Sequence, residues 1–248
     1  MQYLILSDVH GNSDALAAVL RRVRRKRFDG TLVLGDLVGY GAGPNQVVED
    51  VRTKLPRPVW KLRGNHDKVV AGIETGDNFN QAALAAARWT AEHLTPANRR
   101  FVRELPRGPI EGPGEVTLCH GSPLDEDQYL FSVFEAWDVF GNWPGQVAFF
   151  GHTHVPSLFV AKGREARVAL LSGESGTIKI EEGSRYLINP GSVGQPRDRD
   201  PRAAYMTWDT DSRTVRWFRV PYPIERAQQR ILDVGLPRML ADRLALGV

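Results

Sequence analysis

The chain reads as an α/β protein, and three observations lead to that class. Short apolar runs alternate with segments of helical periodicity along its first part. The first three apolar runs each end in a polar motif, as strands of an open α/β sheet do where they deliver residues to a ligand site. With 248 residues, 42% hydrophobic and 25% charged, the chain can bury a substantial core, and residues 1–248 are expected to form one domain.

Residues 2–7 form the first expected strand, ending at Asp8. Asn12 or Ser13 can cap a helix that runs to about residue 27, with Leu16, Leu20 and Val23 on its apolar face. Asp29-Gly30 is a turn signal, and residues 31–34 are a second strand that ends at Gly35-Asp36. Pro44 suits the first turn of a helix reaching about Lys54. Residues 59–62 make a third strand, ending at Gly64-Asn65-His66-Asp67. A helical excursion at about 70–105 then interrupts the alternation. It holds an alanine-rich helix over Asn80–Leu94, and Thr95-Pro96 reads as the cap and first residue of another.

Strand-like runs resume at Val116–Cys119, Val147–Phe150 and Leu187–Ile188. Residues 157–160, 166–171 and 176–181 have the pattern of an antiparallel meander. Ala203–Trp208 and Thr214–Val220 form an expected hairpin with Asp209–Asp211 in its turn, and the segment from Pro223 onward reads as helix. There is no internal repeat and no low-complexity linker.

The formal charge is only +3 although the pI is near 9.1, so charge balance alone argues little for nucleic acid as a partner. Residues 21–27 are the densest basic run; helical spacing assigns them to a solvated face rather than to a nucleic-acid or lipid patch. The single cysteine, Cys119, excludes an intrachain disulfide and fits a reducing compartment. It sits in an apolar run as a strand residue, not as a nucleophile. The N-terminus opens directly on a strand without a leader pattern, and no apolar run approaches membrane-spanning length. A cytoplasmic protein without a membrane partner is expected.

Five of the six histidines stand beside aspartate, asparagine or glycine in short motifs at strand ends: His10, His66, His120, His152 and His154. Only His93, in the alanine-rich stretch, lies outside them. With Asp8, Asp36 and Asn65, they make a donor set large enough for two metal ions sharing one carboxylate, a role that suits Asp36. Ions of such two-metal sites lie about 3.5–4 Å apart. Mixed nitrogen and oxygen donors fit manganese, iron, zinc, cobalt or nickel better than magnesium or calcium. On a phosphate ester, two such ions lower the pKa of a bridging water, so that hydroxide attacks near neutrality, and they clamp the phosphate oxygens. The leaving alkoxide then needs a proton. His66 is the candidate general acid, with Asp67 placed to orient and charge it.

Asp8-x-His10, Gly35-Asp36, Gly64-Asn65-His66-Asp67, His120 and Gly151-His152-x-His154, in that order, resemble the calcineurin-like metallophosphoesterase superfamily. The resemblance spans residues 3 to about 195. Asn189-Pro190-Gly191-Ser192 is similar to the last element of its small bacterial members, the YfcE-like phosphodiesterases. The resemblance implies a four-layer αββα sandwich of two mostly mixed β-sheets flanked by helices, with a dinuclear site at one edge. It also implies that Asp8, His10, Asp36 and His154 hold one ion, and that Asp36, Asn65, His120 and His152 hold the other. His66 would then act on the leaving group.

One departure narrows the substrate. Gly39 stands where protein phosphatases of the superfamily carry a further aspartate, often followed by arginine, so their phosphate-binding arginine is missing from this loop. Arg197, Arg199 or Arg202 is the available substitute, although this stretch also reads as a solvated turn. Asn12 suits either a phosphate contact or a plain helix cap, and Tyr40 suits either stacking on a substrate ring or packing. Phe79 and Trp89 read as packing residues rather than a lid. The expected activity is a hydrolase for small phosphate esters, diesters before phosphoproteins, with two divalent transition-metal ions, manganese first. A phosphomonoesterase or protein phosphatase, a nuclease, and a non-catalytic metal-binding scaffold are the alternatives.

Overall fold

A computed structural model describes residues 1–248. Strands β1 (Gln2–Leu6), β2 (Gly30–Val33) and β3 (Val59–Lys61) pair in parallel, with helices α1 (Ser13–Val23) and α2 (Pro44–Thr53) as the crossovers. Apolar residues on both sides of β1 are buried, as in parallel strands covered on two faces: Leu4 and Leu6 point one way, Tyr3 and Ile5 the other.

Nine more strands complete the two sheets. β4 (Ile110–Gly112), β5 (Val116–Leu118), β6 (Val147–Phe149), β7 (Ser157–Lys162), β8 (Glu165–Leu170) and β10 (Ser184–Asn189) build the second sheet in the order β4-β5-β6-β10-β7-β8. β9 (Ser175–Lys179), β11 (Ala203–Asp209) and β12 (Thr214–Val220) extend the first to β3-β2-β1-β11-β12-β9. Both sheets mix parallel and antiparallel pairs.

Three apolar clusters define four layers. Ile5, Leu32, Leu118, Phe149 and Ile188 meet between the sheets. Leu16, Val47, Ala86 and Leu240 belong to the cluster between the first sheet and helices α1, α2, α4 (Gln81–His93), α5 (Pro96–Arg103), α7 (Ile224–Asp233) and α8 (Arg238–Leu246). On the far side, α6 (Val133–Asn142) lays Ala136, Val139 and Phe140 on Ala148, Phe159 and Leu187. The result is the expected αββα sandwich. Each fully buried Leu, Ile or Phe in these clusters contributes roughly 1.5–3 kcal/mol.

Several boundaries differ from the sequence reading. The first helix ends at Val23, so Arg24–Arg27 lie beyond it. The expected meander is broken: β7 and β8 form a hairpin, but β9 crosses to the first sheet and pairs with β12. Alternation identified the strand, and only the inter-sheet burial of Ile178 and Ile180 selects its partner. The C-terminal helix is two helices, separated around Gly235, which is left-handed at φ 74°, and Pro237. Helix α6 was unanticipated, although Ser132 and Glu135 form a capping box that marks its start. No helix is long and apolar enough to cross a membrane.

Candidate metal centre

The strand ends of both sheets converge at one edge. Asp8 and His10 follow β1, Asp36 follows β2, and Asn65 opens the short helix α3 (Asn65–Val70) after β3. From the second sheet, His120 follows β5, while His152 and His154 follow β6. The backbone there is bent hard. Asp8, His10, Asp36, Tyr40, His152 and His154 all have φ between 49° and 66°. Left-handed conformations are uncommon for residues with a side chain and cluster where function requires a side chain to be aimed. Gly64 allows a close approach, since a Cβ there would lie 2.1 Å from Asp36 Oδ1.

The donor atoms fall into two groups. In the first, His10 Nε2 is 2.9 Å from His154 Nε2 and 3.4 Å from Asp36 Oδ2, and His154 Nε2 is 3.4 Å from Asp8 Oδ1. In the second, Asn65 Oδ1 lies 3.2 Å from His120 Nε2 and 3.1 Å from His152 Nδ1, and the two ring nitrogens are 3.2 Å apart. His120 Nε2 is 3.4 Å from Asp36 Oδ2, so the same carboxylate oxygen borders both groups.

This geometry fits cations. The other ring nitrogens donate to backbone carbonyls: His10 Nδ1 to Val38 at 3.2 Å, His120 Nδ1 to Leu34 at 2.8 Å and His154 Nδ1 to Gln195 at 2.6 Å. These bonds turn the Nε2 lone pairs inward, which is how outer partners orient metal-binding imidazoles. Two inward lone pairs 2.9 Å apart repel unless a cation lies between them. Nitrogens each about 2.0–2.1 Å from one ion sit about 3.0–3.4 Å from one another, close to the spacings seen here.

Protonation points the same way. Burial pushes His10 and His154 well below the usual imidazole range and His152 down to about 3, leaving them neutral. Burial also opposes ionisation of Asp36, but the surrounding imidazoles, His120 first, hold it well below the usual carboxylate range. His120 is raised to about 10: burial disfavours its proton, and Asp36 retains it.

The remaining predicted residues have distinct surroundings. His66 packs its ring between Tyr40 and Phe79, with centroids 4.4 Å away on each side, and its backbone N–H donates to Asp36 Oδ1 at 2.9 Å. Its Nδ1 is buried without a partner beside Gly39, whose absent Cβ would lie 2.5 Å away. Burial lowers its pKa to about 4. Asp67 does not hold the ring, contrary to expectation. Its oxygens accept from the backbone N–H groups of Leu37, Val38 and Gly64 at 3.0, 3.2 and 3.0 Å, tying α3 to the loop that carries Asp36.

Of the two roles open to Asn12, the helix cap is the one its hydrogen bonds describe. Its carbonyl caps α1 by accepting from Ala15 N–H at 3.1 Å, and its amide donates to Gly194 O at 2.9 Å. Both ends of the carboxamide are therefore used. Tyr40 packs on His10 and His66, with its hydroxyl accepting from Arg197 at 3.2 Å, so it is a wall rather than an open stacking platform. Arg197 lies beside the centre, with its guanidinium over that ring.

Other contributors were not foreseen. Ser7 donates to Asp8 Oδ2 at 2.5 Å, and Ser192 donates to the Asp8 carbonyl at 2.7 Å. Phe79, read as packing, flanks His66, and Tyr129 lies 3.8 Å from the His152 ring. Tyr129 comes from a loop without a motif, which left no signal in the sequence. A cleft of about 590 Å³ opens from Asn65 and His152 toward Phe79 and Tyr129, with Glu74, Asp77 and Asp127 in its wall. Cys119 is buried and burial raises its thiol pKa, which removes it from consideration as a nucleophile.

Fold and donor set together define a metal-binding protein built on an αββα sandwich. Residues 1–213 match the calcineurin-like phosphoesterase superfamily domain, and the chain belongs to that superfamily. The superfamily supports hydrolysis of phosphoric esters with divalent metal ions. An uncharacterized protein of Methanocaldococcus jannaschii is 37% identical over 248 residues, covering 98% of this chain and 97% of that one. The crystal structure of a metallophosphoesterase from Sphaerobacter thermophilus matches with a TM-score of 0.86 at 37% identity, over 100% of this chain and 99% of that one. A hypothetical protein from Pyrococcus horikoshii shares the fold at 19% identity and a TM-score of 0.80, over 100% and 98% of the two chains.

Proposed function

We propose that the protein is a cytoplasmic phosphodiesterase that uses two divalent ions, manganese first among them. The observation that carries this reading is the position of Asp36 Oδ2, 3.4 Å from a ring nitrogen of each donor group. Asp8, His10, Asp36 and His154 would hold one ion, and Asp36, Asn65, His120 and His152 the other. When bound, the ions neutralise the phosphate and acidify water near it.

The chain's own groups do the rest. The Val38, Leu34 and Gln195 carbonyls keep three imidazoles aimed inward. Arg197, at the rim, supplies the positive charge for a phosphate oxygen that the Gly35–Gly41 loop lacks. His66, whose pKa burial lowers to about 4, would act as the imidazolium. The anionic phosphate beside it would favour the charged ring, which gives its proton to the leaving oxygen and returns to neutral imidazole, while Tyr40 and Phe79 hold its plane. The cleft wall favours a diester: Asp77, with Glu74 and Asp127 sharing the single counter-charge of Lys68, repels a dianionic monoester more than a monoanionic diester.

Hydrolysis of bis-p-nitrophenyl phosphate and p-nitrophenyl phosphate with added Mn²⁺ tests the reading. The diester is expected to give the larger kcat/KM. Absence of turnover on both esters by fully metallated protein would sink the enzyme assignment, and a monoester preference would sink the diester one.

A further inference from the structure

Away from the metal centre, the basic run of α1 meets two arginines from the other end of the chain. Arg21, Arg22, Arg24 and Arg25 line a groove of about 740 Å³ together with Arg202 and Arg219. The one carboxylate in its lining, Glu174, faces Arg202 at 3.6 Å. Arg202 and Arg219 are also neutralised from behind. Arg202 Nη2 is 2.7 Å from Asp200, and Arg219 pairs with Asp198 and lies 3.7 Å from Asp200. Arg21 and Arg22 at the end of α1 and Arg24 and Arg25 just past it are exposed and have no carboxylate partner, so the groove presents unbalanced positive charge.

Helix electrostatics explain only part of this. Basic residues in a last helical turn gain about 0.3–1 kcal/mol from the dipole, which suits Arg21 and Arg22. Arg24 and Arg25 lie at and beyond the helix end, and stacking guanidinium groups against more cations across a groove opposes that gain. Lys26 feels the crowding: burial first, then Arg22 and Arg216, lower its pKa. The aromatic ring of the groove offers no stacking platform. Phe218 has Tyr205 stacked on it at 5.0 Å and Lys26 Nζ over its ring at 4.7 Å.

We propose that this groove is a docking site for the phosphate backbone of a single-stranded nucleic acid, held by charge and not by base recognition. Inorganic polyphosphate presents the same closely spaced phosphates without bases and serves as the competitor. The site uses no residue of the metal centre and stands whether or not the esterase reading holds.

Anisotropy of a labelled single-stranded oligonucleotide, in chelator so that no ester is cut, tests the proposal. Four phosphate contacts predict a slope of log K against log salt of about −3, or roughly 50-fold weaker binding between about 50 and 200 mM salt. The variant R21Q/R24Q/R25Q should bind at least about 10-fold more weakly at low salt, with the slope reduced to about −1. Its melting curve and its turnover of bis-p-nitrophenyl phosphate should match those of the parent. The variant R99Q/R100Q/R103Q, on α5, removes the same charge elsewhere and should keep the parental affinity and slope. Equal loss in the α5 variant, a parental slope near zero, or failure of inorganic polyphosphate to displace the oligonucleotide overturns the proposal. Displacement supports charge as the basis of binding, and tighter binding of polyphosphate than of the oligonucleotide at equal charge overturns nucleic acid as the occupant.

Discussion

The metal centre and the arginine groove are joined by the loop from Gln195 to Arg202, yet they are built by opposite means. The centre is buried, its backbone is forced into left-handed turns, and its donor atoms crowd against one another, with His66 Nδ1 and His152 Nε2 left without partners. The groove is open, its helix is regular, and Arg21, Arg22, Arg24 and Arg25 stand exposed without a carboxylate partner, although Arg202 and Arg219 are paired from behind. Strain and burial fix donor atoms to within a fraction of an ångström, as transition-state chemistry requires. Loose like charges suit a ligand that needs only counter-charge and that salt can release. One chain thus keeps geometry in one place and potential in another.

Substitutions should separate the two regions. Asp36→Ala removes the oxygen common to both donor groups and is expected to lower kcat/KM on bis-p-nitrophenyl phosphate by more than about 100-fold, the upper end for loss of a merely orienting partner. Oligonucleotide anisotropy should not change. A parallel loss of both would merge the regions and break the comparison.

Gly39→Ala sharpens it from within the centre. The new Cβ would meet His66 Nδ1 at 2.5 Å, on a backbone at φ 94°. Displacing His66 should cost about 100-fold or more in turnover of diesters with alkyl leaving groups, the lower range for general acid–base assistance. The p-nitrophenyl diester, with a leaving group stable as an anion, should lose much less. Equal losses on both substrates would remove His66 from leaving-group protonation.

Chelation probes the stability of the two regions. Ions present at about 100 times their Kd add about 2.7 kcal/mol to the native state. Calorimetry should therefore show a lower Tm in chelator, restored by Mn²⁺, while R21Q/R24Q/R25Q shifts by the same amount as the parent. The smallest effect is expected from Asn12→Ala. Loss of the α1 cap costs about 1 kcal/mol, with KM unchanged beyond what unfolding explains. A selective rise in KM would return Asn12 to the substrate.

Much of this was legible in the sequence because turns at strand ends leave short motifs. Asp8, Asp36 and the histidine pairs sit where apolar runs stop, so residue type and position carried the same message. Thr95-Pro96 gave a helix start to the residue, and Ser132 with Glu135 would have given another. What could not be read depends on who meets whom across the fold. Asp67 neighbours His66 in sequence but spends its oxygens on three backbone amides. β9 alternates like a meander strand, yet its partner is chosen by the inter-sheet core. The arginine run looked like an ordinary solvated face until Arg202 and Arg219 arrived from nearly two hundred residues away.

Strand order carries a consequence for biosynthesis. β1, which leads directly into Asp8 and His10, lies between β2 and β11, and Gln2 pairs with Asp209. A nascent chain therefore holds its first donors for about 10–40 s, at roughly 5–20 residues per second, before the strand that completes their sheet is synthesised. His154 and the Gln195 carbonyl that aims it also emerge late. Metal uptake at the full centre must then follow synthesis of most of the polypeptide. A ribosome stalled before β6 would expose Asp8, His10 and Asp36 without the partners that make them selective.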